Sequence, residues 1–186
     1  IDDAGNPPSP EFGVLDAGNK FVIPGLIDAH CHTTLPCING TDVGLLKDVL
    51  IQLERNYVQQ IHAGVTTVRD TGSAPRLLPT YMDKIRKGAI AGPRVNYCTR
   101  FANINHSHPD INIREVSAVG GLVLAFTGDP NFNFTSTDDL KNKLEMNLES
   151  NPDFIKLTMD NVSVMCKGGA FNTYSDEHIK VIIDFA

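Results

Sequence analysis

The run PGLIDAHCHTT, from Pro24 to Thr34, carries an apolar stretch that stops on two histidines one residue apart, His30 and His32. On an extended strand residues i and i+2 face the same side, so the two imidazoles should aim together while Cys31 turns the other way. Imidazole is a good ligand for Zn, Fe, Mn or Ni, and such a pair at a strand's carboxyl end forms a two-histidine claw for a cation. Chance is the competing account, because six histidines in 186 residues will sometimes fall at this spacing.

Lys156 stands in PDFIKLTM among Phe154, Ile155, Leu157 and Met159, an apolar setting for a lysine. An ammonium with the ordinary pKa of about 10.4 has donors only and cannot ligate a metal. Burial lowers that pKa and favours the neutral amine. The plain alternative is a lysine that snorkels from the strand end into water.

Arg69 and Asp70 close VTTVRD, where an Asp either orients a histidine through its free N–H or caps the following turn. Asp28 precedes His30 by two residues and shares its face deeper in the sheet, where burial requires a hydrogen-bonding partner. A second pair, His106 and His108, lies in NHSHPD; His62 and His178 fall on expected helices, as solvent-facing or helix-end residues. Gly168 and Gly169 follow MCK outside any GxGxxG or P-loop context, which argues against a phosphate cradle.

Residues of this kind work only if regular elements hold them. KFVIPGLIDAH reads as a buried strand from about Leu26, entered through Pro24-Gly25. In TDVGLLKDVLIQLERNYVQQIHAG the apolar positions recur at helical spacing and Gly64 is the expected C-terminal cap. VTTVRD is a β-branched strand, LLPTYMDKIRKGAIAG a helix and RVNYC a strand. Residues 99–136 read as a long irregular section, the kind that is functional or carries small elements of its own. TSTDDLKNKLEMNLES is a capped helix, PDFIKLTM the fourth strand, and YSDEHIKVIIDFA a helix with Ser175 as N-cap. The pattern is (βα)4, which implies a parallel sheet with ligands at the carboxyl ends of its strands.

Composition narrows the function classes. With 41% hydrophobic and 20% charged residues the chain is globular, and a net charge of -6 without a Lys/Arg block argues against nucleic-acid binding. No apolar run reaches the roughly 18 residues of a membrane span. Cys31, Cys37, Cys98 and Cys166 form no CxxC, so reduced, mostly buried thiols are expected. Sequons at Asn39, Asn105, Asn133 and Asn161 permit a secreted glycoprotein without requiring one, and a cytoplasmic location is the expectation.

Taken together, the motifs resemble the amidohydrolase superfamily, metal-dependent hydrolases built on a (β/α)8 barrel, and in particular its imidazolonepropionase-like and Xaa-Pro dipeptidase-like members. PGLIDAHCH resembles the first-strand motif, AGVTTVRDTG the second strand, KGAIAGPRV the approach to the third, and PDFIKLTMD the fourth. GGAFNTYSDEHIKVIIDFA resembles the segment after it, so the likeness runs from Phe21 to Ala186. The resemblance implies His30 and His32 on one metal, a carboxylated Lys156 bridging two, and a metal-activated water attacking an amide or other C–N bond. Two Zn ions are the first choice, with Fe, Mn or Ni as alternatives. In dipeptidase-like relatives the loop matching NHSHPD reads GGHGD, which aligns His108 with a histidine near the substrate carboxylate. Both glycines are replaced here. Asp28 and Asp70 take supporting positions behind the ligands.

The fold expected is thus α/β, the (βα)4 half of a TIM-type barrel over residues 21–186, with residues 1–20 a loop or strand remnant of a small β-sandwich subdomain. A whole barrel takes about 250 residues. The resemblance places two more histidine ligands on strands five and six and the proton-shuttling Asp on strand eight, beyond residue 186. Two functions follow: a metallohydrolase for dipeptide-like or N-acyl amino acid substrates, whose isolated fragment is inactive, or a non-catalytic half-barrel that dimerises through its open edges. The expected partners are a small amide substrate and either the missing half-barrel or a second copy, with neither nucleic acid nor membrane.

Overall fold

β-Branched runs alternating with amphipathic ones become strands alternating with helices. The computed structural model of the chain describes residues 17–34, 42–47, 51–104, 117–129, 131–159 and 173–186. Its strands are β1 (Leu26–Cys31), β2 (Val65–Thr71), β3 (Arg94–Cys98), β4 (Phe101–Ile104), β5 (Asn131–Phe134) and β6 (Lys156–Leu157). The helices are α1 (Asp42–Lys47), α2 (Leu53–His62), α3 (Leu78–Arg86), α4 (Ala118–Thr127), α5 (Thr137–Leu148) and α6 (Asp176–Phe185).

The strands form two three-stranded sheets, ordered β1-β2-β3 and β5-β4-β6, with parallel pairings throughout. Helical returns between successive strands require this, because each brings the chain back to the end it started from. The carboxyl ends of β1, β2 and β3 therefore share one edge, and His30, Asp70 and Cys98 arrive there together. Thr99 and Arg100 alone separate β3 from β4, so one segment serves both sheets. The turn before β6 is tied to β3 as well: Tyr97 N–H donates to Asp153 Oδ2 and Asp153 N–H to the Tyr97 carbonyl, both at 2.8 Å. That tether brings Lys156 into register with Phe101.

Two apolar clusters hold the layers. Ala102, Phe134, Leu140, Leu144, Tyr174 and Ile182 pack the second sheet against α5 and α6. Tyr57, Leu78 and Met82 pack α2 and α3 against Val95 and Tyr97 of β3. Each fully buried Leu contributes about 1.5–3 kcal/mol of transfer free energy. Ser117, Ser136 and Ser175 cap α4, α5 and α6 through their side chains. Gly64, at φ +83°, follows α2 in the left-handed conformation that ends helices.

Three expectations need correction. The section read as irregular from 99 to 136 contains β4, α4 and β5. α4, AVGGLVLAFT, is apolar almost all round, so it lacks the one-sided periodicity by which a helix is recognised. Secondly, the strand in PDFIKLTM is the sixth rather than the fourth, because β4 and β5 precede it, and β4 lies between β5 and β6. Thirdly, β1 is not buried: Ile27 is 71% exposed and Leu26 50%. Among the described residues β1 has a sheet partner on one edge only, β2. The expected helix over 41–64 appears as α1 and α2 on either side of residues outside the described set.

Candidate functional site

β1 reaches its carboxyl end with an irregularity. Asp28 pairs with Val68 and Cys31 with Asp70, so three steps along β1 match two along β2. The extra residue falls at Ala29-His30, a bulge of the kind that re-aims a side chain at a strand end. The two rings are brought together, with centroids 5.5 Å apart and planes at 67°. Cys31 lies elsewhere, its thiol directed at the Arg69 carbonyl.

His32 makes the informative contact. Its Nδ1 lies 2.6 Å from the Gly72 carbonyl oxygen. A carbonyl only accepts, so Nδ1 carries a proton, and in the neutral ring the lone pair is then on Nε2. A metal-ligating histidine has this same arrangement, one nitrogen donating to a backbone carbonyl and the other free to bind. His30 is exposed, and its pKa is held below the ordinary value, first by desolvation and then by the charges of Lys156 and His32, with Asp28 acting the other way. The neutral imidazole is the form that ligates. Lys156 is half-buried rather than buried, on a strand of two residues, and its charge reaches both His30 and Cys98.

Asp28 uses Oδ1 to accept the His30 backbone N–H at 3.0 Å, so its partner is the main chain of the ligand candidate rather than its ring. Asp70 is fully buried. It accepts from Thr33 N–H at 2.8 Å, Gly72 N–H at 3.1 Å, the Ser73 hydroxyl at 2.7 Å and the Thr33 hydroxyl. Asp70 thus caps its own turn, and its connection to the histidines runs through Thr33 and Gly72 instead of a ring N–H. Thr33, Thr34, Gly72, Ser73 and Tyr57 were not singled out from the sequence. The hydroxyl runs HTT and DTGS at the ends of two adjacent strands are the signal that could have found all of them but Tyr57.

His106 and His108 lie outside the described residues, as do Cys37, Cys166 and the sequons at Asn39, Asn105 and Asn161. His62 sits in the last turn of α2. His178 belongs to the α6 capping box, with Nδ1 accepting from Ser175 N–H at 3.2 Å. Asn133 lies within β5. Among the described residues no three His, Cys, Asp or Glu side chains converge to hold a metal ion. The donors present therefore suit part of a centre: two imidazoles, one with a tautomer set for ligation, and a lysine amine within electrostatic reach. Among the described residues no helix is long and apolar enough to cross a membrane.

The model of a family described as the amidohydrolase family matches residues 21–168. In fold the chain is similar to a prolidase solved with N-methylphosphonate-L-proline, at 20% identity and TM-score 0.64 over 94% of this chain and 45% of that one. It is similar to A. niger ochratoxinase, at 20% identity and TM-score 0.63 over 88% and 40%. A Xaa-Pro dipeptidase with methionine bound in its active site matches at 19% identity and TM-score 0.62 over 87% and 40%. The chain spans less than half the length of these structures. None of the curated protein sequences compared with it matches.

Proposed function

Because the chain belongs to the amidohydrolase family, whose members generally bind divalent metals, we propose that it carries the first ligands of a metallohydrolase acting on amide or C–N bonds. The observation that carries this reading is the His32 contact, which engages Nδ1 and, in the neutral ring, leaves the Nε2 lone pair available beside the His30 ring. His30 and His32 would hold one cation, and Lys156, as a carbamate, would bridge it to a second. Zn fits best, as a Lewis acid without redox chemistry, and Fe, Mn or Ni fit the same donors. When bound, such a cation polarises the substrate carbonyl and acidifies water. The chain's own residues supply orientation: Asp28 holds the His30 backbone, and Gly72 holds the His32 ring.

The layout proposed is a half-barrel over residues 21–186 preceded by the remnant of a β-sandwich over residues 1–20. The remaining ligands and the proton-shuttling Asp belong to the other half, and the isolated chain is inactive for want of them. The prolidase and Xaa-Pro dipeptidase neighbours, together with the dipeptidase-like motifs, favour X-Pro dipeptides or N-acyl amino acids as substrates. His108 would then lie near the substrate carboxylate.

Metal analysis of wild type and His30→Ala tests the site, alongside intact-mass detection of an acid-labile CO2 adduct that Lys156→Ala abolishes. Metal content should drop with the His30 substitution. Amide hydrolysis should require the other half of the barrel, and hydrolysis by the 186-residue chain alone would sink the half-site reading. Metal-free wild type together with a stable dimer would favour the structural alternative, for which the edge of β1 left without a partner among the described residues speaks.

A further inference from the structure

The buried Asp70 carboxylate sits at the centre of a hydrogen-bond circuit joining the ends of β1 and β2. A carboxylate only accepts, which sets the direction of the protons around it. The Thr33 hydroxyl hydrogen is committed to Asp70 Oδ2, so the Tyr57 hydroxyl, 2.8 Å from Thr33 Oγ1, must donate to Thr33. Ser73 gives its hydroxyl proton to Asp70 and accepts the Thr34 N–H at 3.3 Å. The circuit closes through Gly72: its N–H goes to Asp70 Oδ1 at 3.1 Å, and its carbonyl receives His32 Nδ1.

That carbonyl has little freedom. Beyond it, Ser73 is held twice, by its hydroxyl on Asp70 and by its N–H on the Thr99 carbonyl at 3.2 Å. Gly72 itself stands at φ +135°, and a Cβ there would fall 2.4 Å from the Phe101 ring. Only glycine fits, and the peptides on both sides of it are pinned.

We propose that Asp70, backed by Thr33 and Tyr57, is a positioning residue that fixes the Gly72 carbonyl, and with it the Nδ1–H tautomer of His32. Nε2 is then presented to a cation before any cation arrives. The purpose of this device rests on the reading of His32 as a ligand, whereas its test does not. An unconstrained neutral imidazole in water favours the opposite, Nε2–H tautomer, so the bias is a property that substitution can remove.

Two-bond 1H–15N correlation spectra of the metal-free chain at alkaline pH report the tautomer of each histidine. His32 should be Nδ1–H in wild type and in Thr33→Ser, which keeps the hydroxyl. In Asp70→Asn and Thr33→Val it should shift toward Nε2–H, with the exposed His62 as unmoved reference. A wild-type His32 in the Nε2–H form overturns the proposal without recourse to any variant. So does an unchanged Nδ1–H population in a folded Asp70→Asn or, where that variant does not fold, in Thr33→Val. Metal titration of the same samples separates the two readings: the expected tautomers without metal uptake would leave the positioning role standing and remove the metallohydrolase.

Discussion

Residues at the end of the first sheet are held by burial as much as by bonding, and burial has a consequence for pH. Cys98 is fully buried, and its thiol is pushed up to about 12 from 9.0, first by desolvation and then by the negative charge of Asp70. Cys31 is likewise pushed up to about 12, by desolvation and then by Asp70 and Asp28. In both, the folded state keeps a proton that the unfolded chain releases once pH passes 9.0. Stability from this source is complete below that pH and is lost as pH rises toward about 12. Urea midpoints measured from neutral into alkaline solution should fall, and Cys98→Ala should flatten the fall. An unchanged alkaline slope in that variant would show that Cys98 has no part in it. The same shift makes Cys98 unreactive toward alkylating agents at neutral pH.

The histidine pair and Lys156 were legible at this scale because each is a polar residue in an otherwise apolar strand pattern. The clamp behind them was not. Thr33, Ser73 and Tyr57 are ordinary residues until the β1–β2 register sets them around Asp70. Asp70 left two readings open in the sequence, and its bonds to Gly72 N–H and the Ser73 hydroxyl place it on its own turn.

Elements follow local rules, and most could be read. The α6 boundary is an instance: Ser175 accepts His178 N–H while His178 Nδ1 accepts Ser175 N–H, a reciprocal cap. Ser175→Ala should therefore lower stability by about 1 kcal/mol, readable as a shift of the denaturation midpoint. Substitution with Asn, a comparably good cap, should restore most of it, and a loss of similar size with Asn would assign the effect to packing instead. α5 is bounded in the same way by Ser136, with Asp138 and Asp139 in its first turn, where negative charge suits the helix dipole. What local rules could not supply was β4, whose four residues follow β3 after Thr99 and Arg100. A segment that short becomes a strand through its neighbours, here β5 and β6.

For the whole molecule the decisive feature is the edge of β1 that no described strand covers. Phe21 and Val22 are 98% and 83% exposed, Ile23, Leu26 and Ile27 are exposed as well, and among the described residues β1 has no strand partner on the side away from β2. Backbone donors and acceptors on such an edge, beside exposed apolar side chains, promote association. The isolated chain should sediment as concentration-dependent oligomers, and Ile27→Lys should shift it toward monomer. Monomeric wild type at high concentration would mean that the edge is masked, and the proposed partner half-barrel would lose its main physical motive.

The sequence by itself determined the family, the alternation of strand and helix, the parallel sense of the sheets and the two histidines at a strand end. These depend on residue type and spacing within single elements, where period and capping act over a few residues. Tertiary structure alone decided which nitrogen of His32 is free, where Asp70 spends its hydrogen bonds, and that β4 lies between β5 and β6. Those depend on contacts between segments distant in the chain, such as His32 with Gly72, 40 residues apart, and Thr33 with Asp70, 37 apart. Their placement follows from strand register and from packing, neither of which has a local signature.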